Sequence, residues 1–194
     1  MDKLLPFDQL NKLSAELRET FAVGMQKKER EDIMDSVLDI LIIAYVFGNE
    51  AANTMLETDK PIDRHELEFA VTKEVAGETW VDRVSKYIEE GTADDIIRVA
   101  ETDAHRIYNE AIYNVGASVQ KEEIANGVEQ PIYKTWETMR DDRVRDTHDV
   151  LEGTKIPFSG KFFTYDGDSA FRPGEFSLPE NNINCRCRLR LSRS

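Results

Sequence analysis

The chain has 194 residues, of which 40% are apolar and 32% are charged, with 10 Gly and 6 Pro. This composition is typical of a soluble globular protein with one domain, or one domain with a large appendage, and it excludes collagen-like, low-complexity and fully disordered classes. The most apolar stretch, from Val37 to Phe47, contains Asp39 and is shorter than the roughly 20 residues that cross a bilayer, so we expect no membrane partner. Two cysteines cannot form a disulfide framework, which favours a reducing compartment.

Charge is divided unevenly along the chain. The formal net charge is -13, with 14 basic against 28 acidic residues in 1–130 and 11 against 10 in 131–194. An acidic first part repels nucleic acid, because phosphate contacts depend on matching cations. Any contact with DNA is therefore expected in the closing segment NNINCRCRLRLSRS, which has no acid. Its four arginines are Arg186, Arg188, Arg190 and Arg193.

Helices are predicted over most of the first 125 residues. Apolar residues spaced by three and four predict an amphipathic helix with Leu10, Leu13, Leu17 and Phe21. A second helix should run from the charged stretch KKEREDIMD to Val46; it is apolar almost all round, as an enclosed central helix is, although a buried strand fits the same residues. The segment ETDKPID interrupts the pattern. A third helix should then carry Leu67 to Ile88 and end at Gly91.

The next predicted helix starts at a capping box formed by Thr92 and Asp95. Its apolar stripe contains Ile96, Ala100, Ala104, Ile107, Ala111 and Val115. A polar row of Thr102, Arg106 and Asn109 follows another face of this helix. Such a row is usually solvated, but the fixed donors of arginine also suit hydrogen bonds to a neighbouring domain, and the sequence leaves both interpretations open.

After about residue 127 the segments shorten, and Pro, Gly, Asn and aromatic residues become frequent. Alternation predicts strands at Ile132–Trp136 and Lys161–Tyr165, with a short helix at Asp142–Leu151 between them that Gly153 closes. A final strand would alternate between a buried and a basic face. Its buried residues would be Cys185, Cys187, Leu189 and Leu191.

These patterns predict an α+β fold. A mainly helical arm or bundle would occupy residues 1–126, and a small α+β domain would occupy residues 127–194. A domain of that size has little core. We therefore expect a contact between His148 and the cysteine pair to join its short helix to its last strand.

Three interpretations compete for this cluster. His148, Cys185 and Cys187, with Asp146 as a candidate fourth ligand, could bind zinc, which prefers such sulfur and nitrogen donors, although one C-x-C is a weaker signal than paired C-x-x-C knuckles. His148 could act as a general base oriented by a neighbouring aspartate, but no Gly-rich phosphate loop or G-x-S-x-G motif accompanies it. The third interpretation is structural: charged side chains that satisfy one another, and cysteines that serve as small buried hydrophobes.

A resemblance to a known family enters at these residues. The stretch TWETMRDDRVRDTHDVLEGTKIPF and the closing NINCRCRLRL resemble the C-terminal signature of the Mu F-like phage head morphogenesis family, also called minor head or minor capsid proteins. The matching positions are Trp136, Asp142, Arg143, Arg145, His148, Leu151, Gly153, Asn184, Cys185, Arg186 and Cys187. Upstream, RVAETDAHRIYNEA resembles the helix that precedes this signature, with Arg106 and Asn109 in place. The resemblance covers residues 90–191.

The resemblance implies a non-enzymatic component of the phage head that is present in the host cytoplasm during assembly. Such a protein enters the procapsid in few copies through the portal protein, or contacts the major capsid or scaffold protein, and can accompany the packaged DNA at ejection. The helical arm would engage the portal or the capsid interior. Two alternatives remain: an injected nuclease-like or transferase-like effector that uses His148, and a module that binds DNA ends through the four C-terminal arginines.

Overall fold

The computed structural model describes residues 30–75, 77–129 and 132–193. The first predicted helix, with Leu10 and Phe21, lies outside the described residues. The other parts form helices followed by a small sheet, which confirms the α+β class. No helix among the described residues is long and apolar enough to span a membrane.

Two long helices form the centre of the molecule: α1 at Arg30–Leu56 and another at Ala93–Ala125. The first contains Val37–Phe47, so the helical prediction is confirmed and the strand alternative is wrong. The two helices pack closely at Gly48, where a Cβ atom would collide with the carbonyl oxygen of Tyr108. Their contact is the most extensive between any two described elements.

The prediction of a single third helix from Leu67 to Ile88 is wrong. Two helices occupy this region, α2 at Arg64–Thr72 and α3 at Trp80–Glu90. Between them the chain makes a tight turn in which Val75 and Glu78 pair and Gly77 adopts a φ of 83°. A new capping box at Thr79 then starts α3. The apolar spacing therefore continues across a turn at which the helix is interrupted.

The helix Ala93–Ala125, here α4, begins as predicted. The side chain of Thr92 accepts a hydrogen bond from the Asp95 amide, and the Asp95 side chain accepts one from the Thr92 amide, which completes the capping box. All six residues of the predicted apolar stripe are buried. The buried surface is not confined to that stripe, because α4 is enclosed by α1, α2, α3 and the last strand of the chain.

The remaining elements are short: β1 at Ile132–Glu137, α5 at Asp146–Asp149, β2 at Lys155–Pro157, β3 at Phe162–Phe163, β4 at Ser169–Ala170, α6 at Pro179–Asn182 and β5 at Arg188–Arg193. Strands β2, β1 and β5 form an antiparallel sheet in that order, and β3 pairs with β4 as a hairpin. Residues alternate between buried and partly exposed along β1, as predicted.

Three of the predicted boundaries are wrong. The short helix spans only Asp146–Asp149, because the preceding residues form a turn that leaves Asp142 exposed. The strand predicted at 161–165 shrinks to two residues, because the Thr164 amide turns back to the Asp168 carbonyl oxygen. The last strand begins only at Arg188, so Cys185 and Cys187 lie in the extended segment before it, after Asn184 with a φ of 57°.

The free edge of β5 is covered by helices. The Leu189 amide donates a hydrogen bond to the Asn109 side chain on α4, and the Leu191 amide donates one to the Met55 sulfur on α1. Arg193 donates to the Leu56 carbonyl oxygen at the end of α1. An uncovered edge strand is a template for unwanted pairing, so these contacts both close the sheet and join it to the helices.

Candidate functional site

The polar row on α4 faces the interior. Asn109 is 1% exposed. Its Nδ2 donates to the carbonyl oxygen of Cys187 at 3.0 Å, and its Oδ1 accepts from the Leu189 amide at 2.7 Å. Thr102 Oγ1 accepts from the Asn184 amide at 3.2 Å. Asn109 and Thr102 therefore hold the backbone of the segment that carries the cysteines, and the solvated interpretation is wrong for the buried Asn109.

Arg106, the third member of the row, is 4% exposed and points elsewhere. Its guanidinium contacts the carboxylates of Asp103 at 3.2 Å and Glu110 at 3.1 Å on its own helix. It also donates to the carbonyl oxygen of Ala70 in α2 at 2.9 Å. Arg106 thus joins two helices, and it does not contact the cysteine segment directly.

A buried charge network extends from Arg106. Asp103 also pairs with Arg83 on α3 at 2.7 Å, and Glu110 pairs with Arg172 at 3.1 Å. Arg172 brings the loop after β4 onto α4, and there Gly174, with a φ of 85°, lies directly against the Arg106 side chain. Sequence reasoning missed this network, because Arg83 and Arg172 are distant along the chain from the carboxylates that they contact. The spacing of Arg106 from Asp103 and Glu110, three and four residues on one helix, was the available signal.

His148 and the two cysteines meet in the interior, as we expected. His148 is 1% exposed, and its Nδ1 lies 3.6 Å from the sulfur of Cys185 and 3.6 Å from the sulfur of Cys187. Both cysteines are buried, and neither is in a disulfide. Asp146, the candidate fourth ligand, is exposed and lies outside the group of donor atoms that could hold a metal ion.

Aromatic rings fix the orientation of His148. Its ring stacks on Phe176 with centroids 5.3 Å apart and meets the edge of Trp136 at 5.4 Å. Nε2 is buried and has no hydrogen-bond partner among the described residues. Ring packing, rather than a hydrogen bond at Nε2, therefore directs Nδ1 at the two sulfurs.

The two thiols are electrostatically linked. A hydrogen bond from Cys187, assisted by His148, lowers the pKa of the Cys185 thiol despite its burial. The resulting thiolate and burial together raise the pKa of Cys187. Of the two thiols, that of Cys185 therefore loses its proton more readily.

The signature residues around this cluster make internal contacts. Arg186 forms two hydrogen bonds of 2.8 Å with Asp141, which raise its pKa and lower that of the carboxyl. The signature residue Asp142 is exposed, and the carboxylate that contacts Arg186 is that of the preceding residue. Arg145 donates to the carbonyl oxygen of Ile183, and Gly153 has a φ of 70° in the turn that leads to β2.

The other C-terminal arginines are also paired. Arg188 and Arg190 contact the carboxylate of Glu137 on β1, at 2.6 Å and 3.3 Å. Arg193 contacts Glu123 on α4. The predicted basic face is therefore partly neutralised by neighbouring acids, which reduces the cationic charge that a phosphate backbone would meet.

Lys134 is a second buried group that sequence reasoning missed. Its ammonium lies 5.0–5.5 Å from the centroids of four aromatic rings, and it donates to the Phe171 carbonyl oxygen at 2.9 Å. The rings belong to Tyr113, Phe158, Phe162 and Phe171. Burial lowers the pKa of Lys134 to about 7, with Glu175 opposing the shift and Arg172 adding to it. The predicted alternation of Ile132–Trp136 was the available signal, since it places Lys134 on the same face as Ile132 and Trp136.

The fold and the site define a helical protein with a small sheet, in which a buried asparagine fastens the final strand to the longest helix. A buried histidine–cysteine cluster joins the short helix α5 to the segment before that strand. The model of the Phage Mu protein F like family matches residues 55–190, which include Asn109, His148 and both cysteines. The chain belongs to this family of phage head morphogenesis proteins. No curated protein and no solved structure matches the chain significantly.

Proposed function

We propose that this chain is a minor head protein: a non-catalytic component that is built into the phage head in few copies and contacts the portal protein. Membership of the family supports the role in head morphogenesis. The observation that carries the non-catalytic part is the burial of the signature histidine, since His148 is 1% exposed and its Nδ1 faces two sulfurs at 3.6 Å. A general base must reach the proton that it removes, and here Nδ1 faces the two sulfurs while Nε2 is buried.

The acidic helical part is the surface that we assign to the partner. Residues 1–130 carry 28 of the 38 acidic residues of the chain. Opposite charge across an interface speeds encounter and sets orientation, so an acidic surface favours a basic face on the portal protein. The paired C-terminal arginines favour this protein contact over a primary role in DNA binding.

The test uses the phage or prophage that encodes the chain. Deleting the gene should reduce the yield of DNA-filled heads, and supplying the wild-type chain in trans should restore it. Cross-linking of the purified heads, followed by mass spectrometry, should join residues of the helical part to the portal protein. Cross-links only to the major capsid or scaffold protein would contradict the portal contact, and normal heads without the gene would contradict the whole proposal.

Complementation with His148→Ala separates a structural from a catalytic signature. A structural role predicts that the variant restores heads at low growth temperature, where a weakened fold persists, and fails at high temperature. A catalytic role predicts failure at every temperature with the folded protein present. His65→Ala is the matched control, because His65 is an exposed histidine on α2, and it should complement at all temperatures.

A further inference from the structure

Three donor atoms from two distant parts of the chain converge in the interior. His148 Nδ1 and the sulfurs of Cys185 and Cys187 all lie within 4.8 Å of one another. The histidine comes from α5 and the sulfurs come from the segment before β5, 37 and 39 residues later. All three side chains are buried, so the cluster is shielded from competing solvent ligands on most sides.

The spacing of these atoms fits a tetrahedral ion. Zinc binds imidazole nitrogen at about 2.0–2.1 Å and thiolate sulfur at about 2.3 Å, and tetrahedral angles then place nitrogen and sulfur about 3.6 Å apart. Both nitrogen–sulfur distances in the cluster are 3.6 Å. A bound ion could keep both nitrogen–sulfur distances as they are. The two sulfurs with one imidazole are soft donors that suit zinc better than magnesium or calcium, which prefer oxygen.

We propose that His148, Cys185 and Cys187 bind one Zn²⁺ ion, with a solvent molecule or small anion as the fourth ligand. A small pocket adjoins His148 and Cys187, and its wall includes Arg143, Arg145 and Arg186. These three cationic side chains favour an anion or a water oxygen as the ligand at the open position. Asp146 is exposed and outside the cluster, so the chain supplies three ligands rather than four.

Such an ion would cross-link two distant segments of the chain. It would join the turn of α5 to the segment that leads into β5, and it would close a loop of 37 residues between His148 and Cys185. Metal binding to a site that is absent from the unfolded chain adds directly to folding stability. The ring contacts of Phe176 and Trp136 already hold the imidazole in the orientation that the ion requires. This site is independent of the portal contact proposed above.

The test starts with the full chain, purified in reducing buffer without chelator. Metal analysis should find about one zinc per chain. Protein stripped of metal and titrated with Co²⁺ should show an intense thiolate-to-cobalt charge-transfer band and the strong visible bands of tetrahedral cobalt, and Zn²⁺ should abolish both. Protein that contains no zinc, and cobalt spectra without thiolate bands or with the weak bands of six-coordinate oxygen ligation, would overturn the proposal.

Variants then assign the ligands. Loss of a residue that only supports a metal ligand weakens metal affinity by about 10–100-fold, so Cys187→Ser should raise the zinc dissociation constant by more than about 100-fold. Asp146→Asn is the matched control on the same turn, and its affinity should equal that of the wild type. Unchanged affinity in Cys187→Ser, or lost affinity in Asp146→Asn, would overturn the three-ligand assignment. If Cys187→Ser does not fold, the cobalt spectrum of the wild-type chain still decides.

Discussion

Asn109 offers the clearest test of how the sheet is fastened to the helices. Its side-chain amide occupies two backbone groups of the cysteine segment, the Cys187 carbonyl and the Leu189 amide, and both residues are less than 5% exposed. In Asn109→Ala neither group would have this partner, and water would reach them poorly. Each buried polar group that loses its partner costs about 1–3 kcal/mol, so we expect a loss of about 3 kcal/mol in the free energy of unfolding.

Denaturant unfolding followed by circular dichroism measures this loss. For a chain of this size the melting temperature should fall by about 6–12 °C, because 1 kcal/mol corresponds to about 2–4 °C. Asn114→Ala is the matched control, since Asn114 lies on the same helix and its side chain donates to one hydroxyl, that of Tyr45, at 3.2 Å. The control should lose less than about 1.5 kcal/mol. Equal losses in the two variants, or a loss below about 1 kcal/mol in Asn109→Ala with the spectrum unchanged, would refute the bridging role.

Three further predictions concern the core and pH. Gly48→Ala should lower the melting temperature, although alanine gains about 1 kcal/mol of helix propensity, because its methyl group would collide with the Tyr108 carbonyl oxygen. The folded state holds Lys134 with a pKa of about 7, below its unfolded value of about 10.4. The unfolded chain therefore binds more protons between pH 7 and 10, and the free energy of unfolding should rise with pH there by up to about 1.4 kcal/mol per unit, a rise that Lys134→Met removes. Burial raises the pKa of Asp168, but hydrogen bonds from Ser177, Leu178 and Asn181 lower it by a larger amount. The pKa of Asp168 is therefore below its ordinary value. Its stabilisation should be present above about pH 4 and lost below it, and Asp168→Asn should remove this acid dependence and about 1–3 kcal/mol at neutral pH.

Each of these has a contradicting outcome. A melting temperature in Gly48→Ala equal to or above that of the wild type would mean that α1 and α4 are less closely packed than described. If the free energy of unfolding of Lys134→Met changes with pH as that of the wild type does between pH 7 and 10, the folded protein would keep Lys134 protonated over this range. An acid limb in urea titrations that survives in Asp168→Asn would assign the acid sensitivity to other carboxylates.

Local signals predicted the helices well. The capping box of Thr92 and Asp95 lies within four residues. Its hydrogen bonds depend only on these neighbouring residues, so the local sequence is enough to predict it. The break between α2 and α3 was missed because apolar residues keep helical spacing across it. Gly77 was the available signal, since a φ of 83° is the left-handed conformation that favours glycine.

Long-range partners were only partly predictable. The closure of the small domain by His148 and the cysteines followed from its size and from the spacing of the two thiols. The partners of Asn109 are backbone groups 78 and 80 residues away, and such groups carry no sequence signal. The choice of Asp141 over Asp142 as the partner of Arg186 depends on the turn before α5, which decides which of two adjacent carboxylates reaches the guanidinium.

Quantitative mass spectrometry of purified heads tests the central claim most directly. Heads isolated before and after DNA packaging would be digested, and peptides of this chain would be counted against those of the portal and major capsid proteins. The account predicts that the chain is present in both preparations, in numbers comparable to the portal protein and far below the major capsid protein. Its absence from both, with the protein abundant in the lysate, would contradict its assignment as a minor head protein.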